Sequence, residues 1–375
     1  MCSENGSKTQ IAAAPQPIEL LNPITAWEYT LMNSREKLVI CAAALATLFY
    51  PGPTAHAAER FENVYPFPEK SFWTVMRWRW TRNPAVWPTS RPLKQSPRVG
   101  RPLKGQQAAI TFIGHASFLA EFENFKILMD PVYSDKVGPG GMLGPTRVVE
   151  PGVSLEQTPK IDLILLSHNH FDHMDLPTLE FFAKRDNPTV IAGKGNKALL
   201  EEAGFSKIVE LNWWENHNLN NTVEVTFVPA QHWSTRSLLS RNTTLWGGFY
   251  FRIKGSTYYF VGDTGYHPKL FKEIQQRVGS PDLSFIPIGA YAPRDFMKDQ
   301  HTNPEEAVAI HLDVKSKSSL GMHFGTFQLS DEPIDEPCEL LKTESKVRSL
   351  AAAEFTCMEP GETRFLFTEE LRAEN

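Results

Sequence analysis

The chain has 375 residues, 41% hydrophobic and 22% charged, with 38 Lys and Arg against 43 Asp and Glu for a net charge of -5. That length and apolar content can bury one large core or two, which excludes a disordered or fibrous chain, and the acidic balance argues against general nucleic-acid affinity. Of the four cysteines, Cys2, Cys41, Cys338 and Cys357, none has ligand spacing. The last two can pair in an oxidising compartment or stay free.

The first elements are a leader and an arm. Arg35 and Lys37 precede the 13-residue, largely apolar run Leu38 to Tyr50, and Ala55-His56-Ala57 precedes Ala58. That run is too short for a spanning helix of about 20 residues and fits a secretory-signal core of about 7 to 15. Residues 1–57 therefore read as a leader with a signal peptide over 32–57, translation starting at Met1 or at Met32. The expectation is an exported protein, periplasmic or membrane-associated; the alternative is an intracellular protein that meets a membrane peripherally. Residues 58–105 form the arm. Between Lys70 and Lys104 it carries nine Lys and Arg and no acidic residue, and it interleaves Trp73, Trp78, Trp80 and Trp87 with Arg77, Arg79 and Arg82. Indoles settle at the headgroup level of a bilayer and guanidinium groups meet lipid phosphates, so residues 70–104 are expected to touch a membrane surface. Packing of the same aromatics against the domain is the competing reading, and a nucleic-acid arm is a third.

From residue 106 to 375 the pattern is that of one α/β domain. Ala109 to Phe122 and Phe125 to Met129 read as a hairpin, and Ile161 to Leu166 as a buried strand. Leu176 to Lys184 and Asn196 to Ala203 read as helices on either side of the strand Thr189 to Ala192. Val223 to Val228 is a strand, and Leu245 to Ile253 with Thr257 to Val261 a second hairpin about Lys254-Gly255-Ser256. Pro268 to Val278 and Pro304 to Leu312 read as helices flanking the strand Leu283 to Ile288. The Gly-rich stretch Gly138 to Gly144 lacks the Lys and Ser of a phosphate loop and reads as a pocket rim. Two facing sheets with helices outside give a four-layer sandwich.

Directly after the strand Ile161 to Leu166 comes HNHFDH, three imidazoles and a carboxylate within His168 to His173. Four such groups on one turn repel each other on protonation or share a cation, and neutral imidazole with carboxylate suits zinc, manganese or ferrous iron. One segment does not close a catalytic site. His232 in VPAQHW, Asp263 in VGDTGY and His323 in GMHFGTF each follow a further strand-like run, where sheet enzymes place ligands.

That set, HxHxDH followed by His, Asp and His after successive strands, resembles the metallo-β-lactamase superfamily. The resemblance implies that His168, His170 and His232 hold one metal and that Asp172, His173 and His323 hold a second. Asp263 bridges them, and Asp172 serves catalysis as well. Two divalent ions, zinc being expected, lower the pKa of a bound water and clamp the oxygens of a displacement. Within the superfamily, the strings SHNHFDHMD, QHW, LWGGFYF, VGDTGY, IPIGAYAPRDFMKDQHTNPEEAV and HFGTFQLSDE resemble the N-acyl-phosphatidylethanolamine-hydrolysing phospholipase D family and its bacterial relatives. These strings lie between Thr111 and Pro337. Phe171 stands where mammalian members carry tyrosine.

His301 matches the family histidine that lines the pocket without binding metal, where it would hold the phosphate or protonate the leaving alkoxide. Its other reading is a cap on the helix that starts near Asn303 and Pro304. Gln300 beside it would be a polar substrate contact. His115 in IGHAS and Asp130 in LMDP look like superfamily positions that orient ligands from behind, or like ordinary turn residues.

The expected function is a dinuclear metal-dependent phosphodiesterase of phospholipase D type that cleaves N-acyl-phosphatidylethanolamine-like lipids to phosphatidate and N-acylethanolamine. The alternatives keep the site and change the substrate to a lactone, ester or other phosphodiester, place two irons in it for redox chemistry, or leave a non-catalytic lipid-binding module. The expected partners are a phospholipid and a membrane surface, with a homodimer left open and no nucleic acid.

Overall fold

The computed structural model describes residues 60–103, 106–237 and 239–367. The signal-peptide reading, Met32, Cys2 and Cys41 fall outside them. The arm and the hydrolase domain fall in one compact unit, Glu59–Asn375.

After the arm helix α1 (Phe72–Thr81), the strands β1 (Gln106–Gly114), β2 (Ser117–Phe122), β3 (Phe125–Met129), β4 (Leu163–Leu166), β5 (Thr189–Gly193) and β6 (Ile208–Leu211) build the first sheet, with α2 (Leu176–Arg185) and α3 (Lys197–Glu202) between them. The second sheet holds β7 (Asn216–Asn220), β8 (Val223–Pro229), β9 (Gly247–Ile253), β10 (Ser256–Phe260), β11 (Leu283–Pro287), β12 (Ser318–Met322) and β13 (Phe355–Thr356). Its helices are α4 (Pro268–Val278), α5 (Arg294–Met297), α6 (Pro304–Asp313) and α7 (Glu336–Val347), and β14 (Thr363–Phe367) returns to the first sheet. The orders are β14-β1-β2-β3-β4-β5-β6 and β7-β8-β9-β10-β11-β12-β13. In each sheet the first three ladders are antiparallel and the last three parallel.

Side-chain alternation explains the layers. In β4, Leu163 and Leu165 join the inter-sheet core with Ile127, Met129, Phe118 and Phe285, while Ile164 and Leu166 face Leu179, Phe182 and Leu200 of α2 and α3. A strand buried on both faces has no polar alternation, which is why Leu163 to Leu166 reads as a continuous apolar run. Truncating Leu165 to Ala would cost about 2–5 kcal/mol through lost burial and the cavity left behind.

One expected element divides. The single strand read over Ala109 to Phe122 is two, β1 and β2, paired as a tight antiparallel turn. Gly114 at φ 134 and His115 at φ 56 reverse the chain where hydropathy alone shows no break. The turn carries His115 to the sheet edge. Cys338 in α7 and Cys357 after β13 form a disulfide. Among the described residues, no helix is long and apolar enough to cross a membrane.

Part of the arm packs against the domain. Trp78 stacks on Phe296 at 4.6 Å, Arg82 lies over Trp78 and bonds Asp331 at 2.8 Å, and Trp87 donates to the Glu332 carbonyl at 2.9 Å. These residues pack the arm onto the domain. Trp73 and Trp80 stand 72% and 76% exposed, and Arg77 and Arg79 are exposed beside them.

Candidate metal centre

The HNHFDH segment leaves the carboxyl end of β4 and folds back at once, since the amides of His173 and Met174 both donate to the His170 carbonyl, at 3.1 and 2.8 Å. Two outside groups hold that fold. The Asp175 carboxylate accepts from the Tyr133 and Ser134 amides at 3.2 and 3.0 Å and from the Ser134 hydroxyl at 2.8 Å, fixing the loop to the one after β3. Arg236 donates to the carbonyls of Asn169 at 2.9 Å and Met174 at 2.8 Å. Its guanidinium also lies 4.1 Å from the Phe171 ring centre. The sequence gives no signal for either clamp.

Two groups of donor atoms result. His170 Nδ1 lies 2.8 Å from His168 Nε2 and 3.2 Å from His232 Nε2. In the second group, Asp172 Oδ2 lies 3.6 Å from His173 Nε2 and 3.4 Å from His323 Nε2. Asp263 Oδ2 reaches both: it is 3.2 Å from His173 Nε2 and 3.0 Å from His323 Nε2, and 4.0 and 3.8 Å from His168 Nε2 and His232 Nε2. Metal–ligand bonds of about 2.0–2.1 Å in a tetrahedron set neighbouring ligand atoms about 3.3 Å apart. The spacing in each group fits one ion, and Asp263 sits where a bridging ligand must. All seven expected ligands are therefore together.

The orphaned atoms make the same point. His173 Nε2 and His323 Nε2, both facing Asp172 and Asp263, are buried and make no hydrogen bond, a costly state for a polar atom with nothing to bind. A divalent cation satisfies this donor set.

Asp130, behind the ligands, is saturated instead. Asp130 accepts from the Ser167 amide at 2.8 Å, the Ser167 hydroxyl at 2.5 Å and His173 Nδ1 at 2.7 Å. The Ser167 hydroxyl also meets His168 Nδ1 at 2.9 Å. His232 Nδ1 donates to the Gln300 carbonyl at 2.9 Å, and His115 Nε2 meets Asp172 Oδ2 at 3.1 Å. The bonds to His173, His168 and His232 each fix a ring so that its other nitrogen points inward. His115 also stands close enough to Asp172, His173 and His323 to be a donor itself. The loops pay in backbone strain: His115, Asp130, Ala290 and His323 have φ of 56, 38, 60 and 61°, a region disfavoured outside glycine. At Gly262, before Asp263, φ is +69° and a Cβ would lie 2.6 Å from the Gly247 carbonyl oxygen, so only glycine admits this approach.

Electrostatics separates the two groups. Burial, reinforced by neighbouring histidines, takes His168 well below its ordinary value. Burial takes His170 to about 4 and His232 to about 3 against the pull of nearby carboxylates. These rings are neutral at pH 7 and offer lone pairs. In the second group burial is outweighed: Asp263 and Asp172 hold His323 up at about 9 and His173 well above its usual range. In turn, although burial opposes it, His173 and its neighbours hold both carboxylates well below theirs. Two buried anions this close demand positive charge, supplied by imidazolium protons or by a metal.

His301 faces the same centre. Its Nδ1 is 3.8 Å from Asp263 Oδ2, is buried without a hydrogen bond, and burial drops its pKa to about 3. The capping reading does not hold, because Asn303 caps α6 itself, its side chain accepting from the Glu306 amide at 2.9 Å while Glu306 bonds back. Gln300 orients His232 through its carbonyl; its side-chain oxygen is 3.5 Å from Lys70 Nζ.

Residues 126–324, more than half of the chain, match the beta-lactamase superfamily domain. The mitochondrial N-acyl-phosphatidylethanolamine-hydrolyzing phospholipase D of Saccharomyces cerevisiae is 38% identical over 237 residues, 62% of this chain and 50% of that protein. The match thus spans about half the length of that relative. The N-acyl-phosphatidylethanolamine-hydrolyzing phospholipase D 1 of Caenorhabditis elegans is 34% identical over 267 residues, 67% of this chain and 74% of that protein. A metallo hydrolase of the archaeon Ignicoccus hospitalis superposes with a TM-score of 0.53 at 20% identity, over 70% of this chain and 99% of its own, which shows the shared fold. Sequence match, architecture and donor set agree, and the chain belongs to the beta-lactamase superfamily as a metal-dependent hydrolase of the metallo-β-lactamase fold.

Proposed function

We propose that the chain is a dinuclear phosphodiesterase of phospholipase D type that hydrolyses N-acyl-phosphatidylethanolamine-like lipids to phosphatidate and N-acylethanolamine. The observation that carries the reading is Asp263 Oδ2 within 4.0 Å of ring nitrogens from both histidine groups, with His301 Nδ1 facing the same oxygen at 3.8 Å. Similarity to the yeast and nematode phospholipases supports the substrate class. Two divalent ions, zinc being the expected pair, would be held by His168, His170 and His232 and by Asp172, His173 and His323, with Asp263 between them. When bound, they supply an acidified water and neutralise phosphate charge. His301 then has one task, to hydrogen-bond a phosphate oxygen or the departing alkoxide with its unpartnered nitrogen. The test is turnover of N-acyl-phosphatidylethanolamine, a lactone and a simple phosphodiester by the purified full chain, with metal content measured in parallel. The lipid should be turned over at least about tenfold faster than the others in kcat/KM, a difference of about 1.4 kcal/mol. Faster turnover of the lactone would replace the reading.

The lipid reading assigns a role to the exposed face of α1. Trp73, Arg77 and Trp80 are spaced i, i+4 and i+7 and share one helix face, while Trp78 and Arg82 pack inward. We assign this face to peripheral contact with anionic phospholipid. Replacing Trp73 and Trp80 together by Ala should weaken co-sedimentation with anionic vesicles about tenfold or more, leaving turnover of a short-chain soluble diester intact. Unchanged sedimentation returns both indoles to the domain surface. The Cys338–Cys357 disulfide supports work in an oxidising compartment, the export reading.

A further inference from the structure

His232 leaves its strand before it reaches the site. The ladder to β9 ends at Pro229, so the His232 peptide is on its own for backbone hydrogen bonds. Both of its groups are taken by one side chain from the arm: Asn63 Nδ2 donates to the His232 carbonyl at 2.8 Å, and the His232 amide donates to Asn63 Oδ1 at 3.0 Å. Trp246 Nε1 donates to the same Oδ1 at 3.2 Å, while also reaching the Ala230 carbonyl at 3.0 Å. Two further bonds bring the arm alongside, from the Phe61 amide to the Asn242 carbonyl at 2.8 Å and from Gln231 Nε2 to the Tyr65 carbonyl. The other end of His232 is fixed by its ring, Nδ1 on the Gln300 carbonyl. With peptide and ring both anchored, Nε2 has one direction left, toward His170.

We propose that Asn63 is a positioning residue of the metal centre, fixing the peptide of His232 so that the His168, His170 and His232 group binds its ion. A primary amide suits the task as no other side chain does. It pairs with a peptide as a neighbouring strand would, one donor and one acceptor. A carboxylate of the same size keeps the acceptor and turns a negative oxygen on the His232 carbonyl; a hydroxyl supplies one bond in place of two. Asn63 lies 169 positions from His232 and outside the matched region 126–324, so the superfamily domain by itself does not contain the whole centre.

The inference rests on His232 being a ligand, and the experiment separates the two. Full-length wild type, N63A, N63D and H232A are stripped of metal and titrated with Zn2+ against a chromophoric chelator, and the Co2+-loaded forms are compared by their ligand-field absorption. Wild type should bind two equivalents. H232A should lose one of them; if it keeps both at wild-type affinity, the ligand assignment fails. N63A should retain two equivalents with one weakened about 10–100-fold, an altered cobalt band, and kcat lowered more than KM is raised. N63D should behave as N63A does, and carries the test if N63A does not fold. Phe61→Ala, which removes packing of the same segment on the core, should lower the melting temperature and leave both affinities alone. If H232A loses an equivalent while N63A and N63D bind both ions at wild-type affinity with an unchanged cobalt band, Asn63 serves only to pack the arm and the proposal is overturned.

Discussion

The two sheets share one plan and load it differently. Each runs three antiparallel ladders and then three parallel ones, which pairs β1 with β8, β3 with β10, β4 with β11 and β5 with β12. At the first pair, His115 follows β1 and His232 follows β8; at the second, Asp130 follows β3 and Asp263 follows β10. At the third, β4 delivers four donors while β11 delivers Gly289, where a Cβ would lie 2.2 Å from the His323 carbonyl oxygen. At the fourth, β5 ends in a glycine turn and β12 delivers His323. Equivalent topological position therefore brings a residue to the centre without deciding what it does there. Hydrogen-bond saturation decides: Asp130 has both oxygens occupied by Ser167 and His173, whereas Asp263 Oδ1 makes no hydrogen bond and Oδ2 faces five ring nitrogens within 4.0 Å. One aspartate supports neighbouring rings and its counterpart is placed as the proposed bridging ligand.

The sharpest test of that contrast exchanges the same atoms at both positions. Asp263→Asn removes the charge shared by the two ion sites and should cost about a thousandfold or more in kcat/KM, about 4 kcal/mol of transition-state stabilisation, with metal content falling below two per chain. Asp130→Asn keeps an oxygen for the Ser167 amide but puts an NH2 where the second oxygen accepted from the Ser167 hydroxyl and His173 Nδ1, so the hydroxyl must reverse and the hold on His173 is lost. It should cost about 10–100-fold in metal affinity. Equal losses, read by metal analysis and steady-state kinetics on both variants, would erase the distinction between support and ligand.

Two neighbouring histidines, joined by the His323 amide donating to the His115 carbonyl at 2.7 Å, give the next largest effect. His323→Ala should remove the ion of the Asp172, His173 and His323 group, leave the other, and lower kcat about a hundredfold or more. His115→Ala removes a ring that meets Asp172 at 3.1 Å and should leave both ions bound, with affinity at the second lowered about tenfold. Loss of a whole equivalent in the His115 variant would promote that ring to a ligand and break the parallel with Asp130.

What could be read from the sequence was the part with local pattern. HNHFDH is dense in donors, and His232, Asp263 and His323 each follow a strand-like run, so the candidates and the α/β layering show as pattern, while the ligand set and its division between two ions came from the family resemblance. The elements that hold the ligands carry no such mark. Ser167 and Asp175 look like ordinary turn residues; Arg236 acts through backbone carbonyls of a loop 62 positions or more away. The turn at His115 was one reading of IGHAS but did not divide the strand read over Ala109 to Phe122, because the reversal lies in the backbone angles of Gly114 and His115. The duplication of the plan was equally invisible, since ladder order is a property of pairing and the two halves share no repeated motif. The arm was legible only in part, because a Trp-Arg alternation does not say which indoles face in.

The smallest effect tests how the dense loop of the first sheet is clamped. Arg236 joins the two ends of that loop through the Asn169 and Met174 carbonyls and covers the Phe171 ring between them. The hydrogen bonds set the loop's shape, and the ring adds contact and a cation–π attraction of about 0.5–2 kcal/mol. Phe171→Leu should therefore lower unfolding free energy by about 1–2 kcal/mol, seen as a shift of the denaturant midpoint with an unchanged slope, and leave both metal affinities as they are. Phe171→Tyr keeps the ring under the guanidinium and should stay within about 0.5 kcal/mol of the parent. If Phe171→Leu instead lost metal at unchanged stability, the aromatic ring, and not the pair of carbonyl bonds, would be what holds His168, His170 and His173 in register.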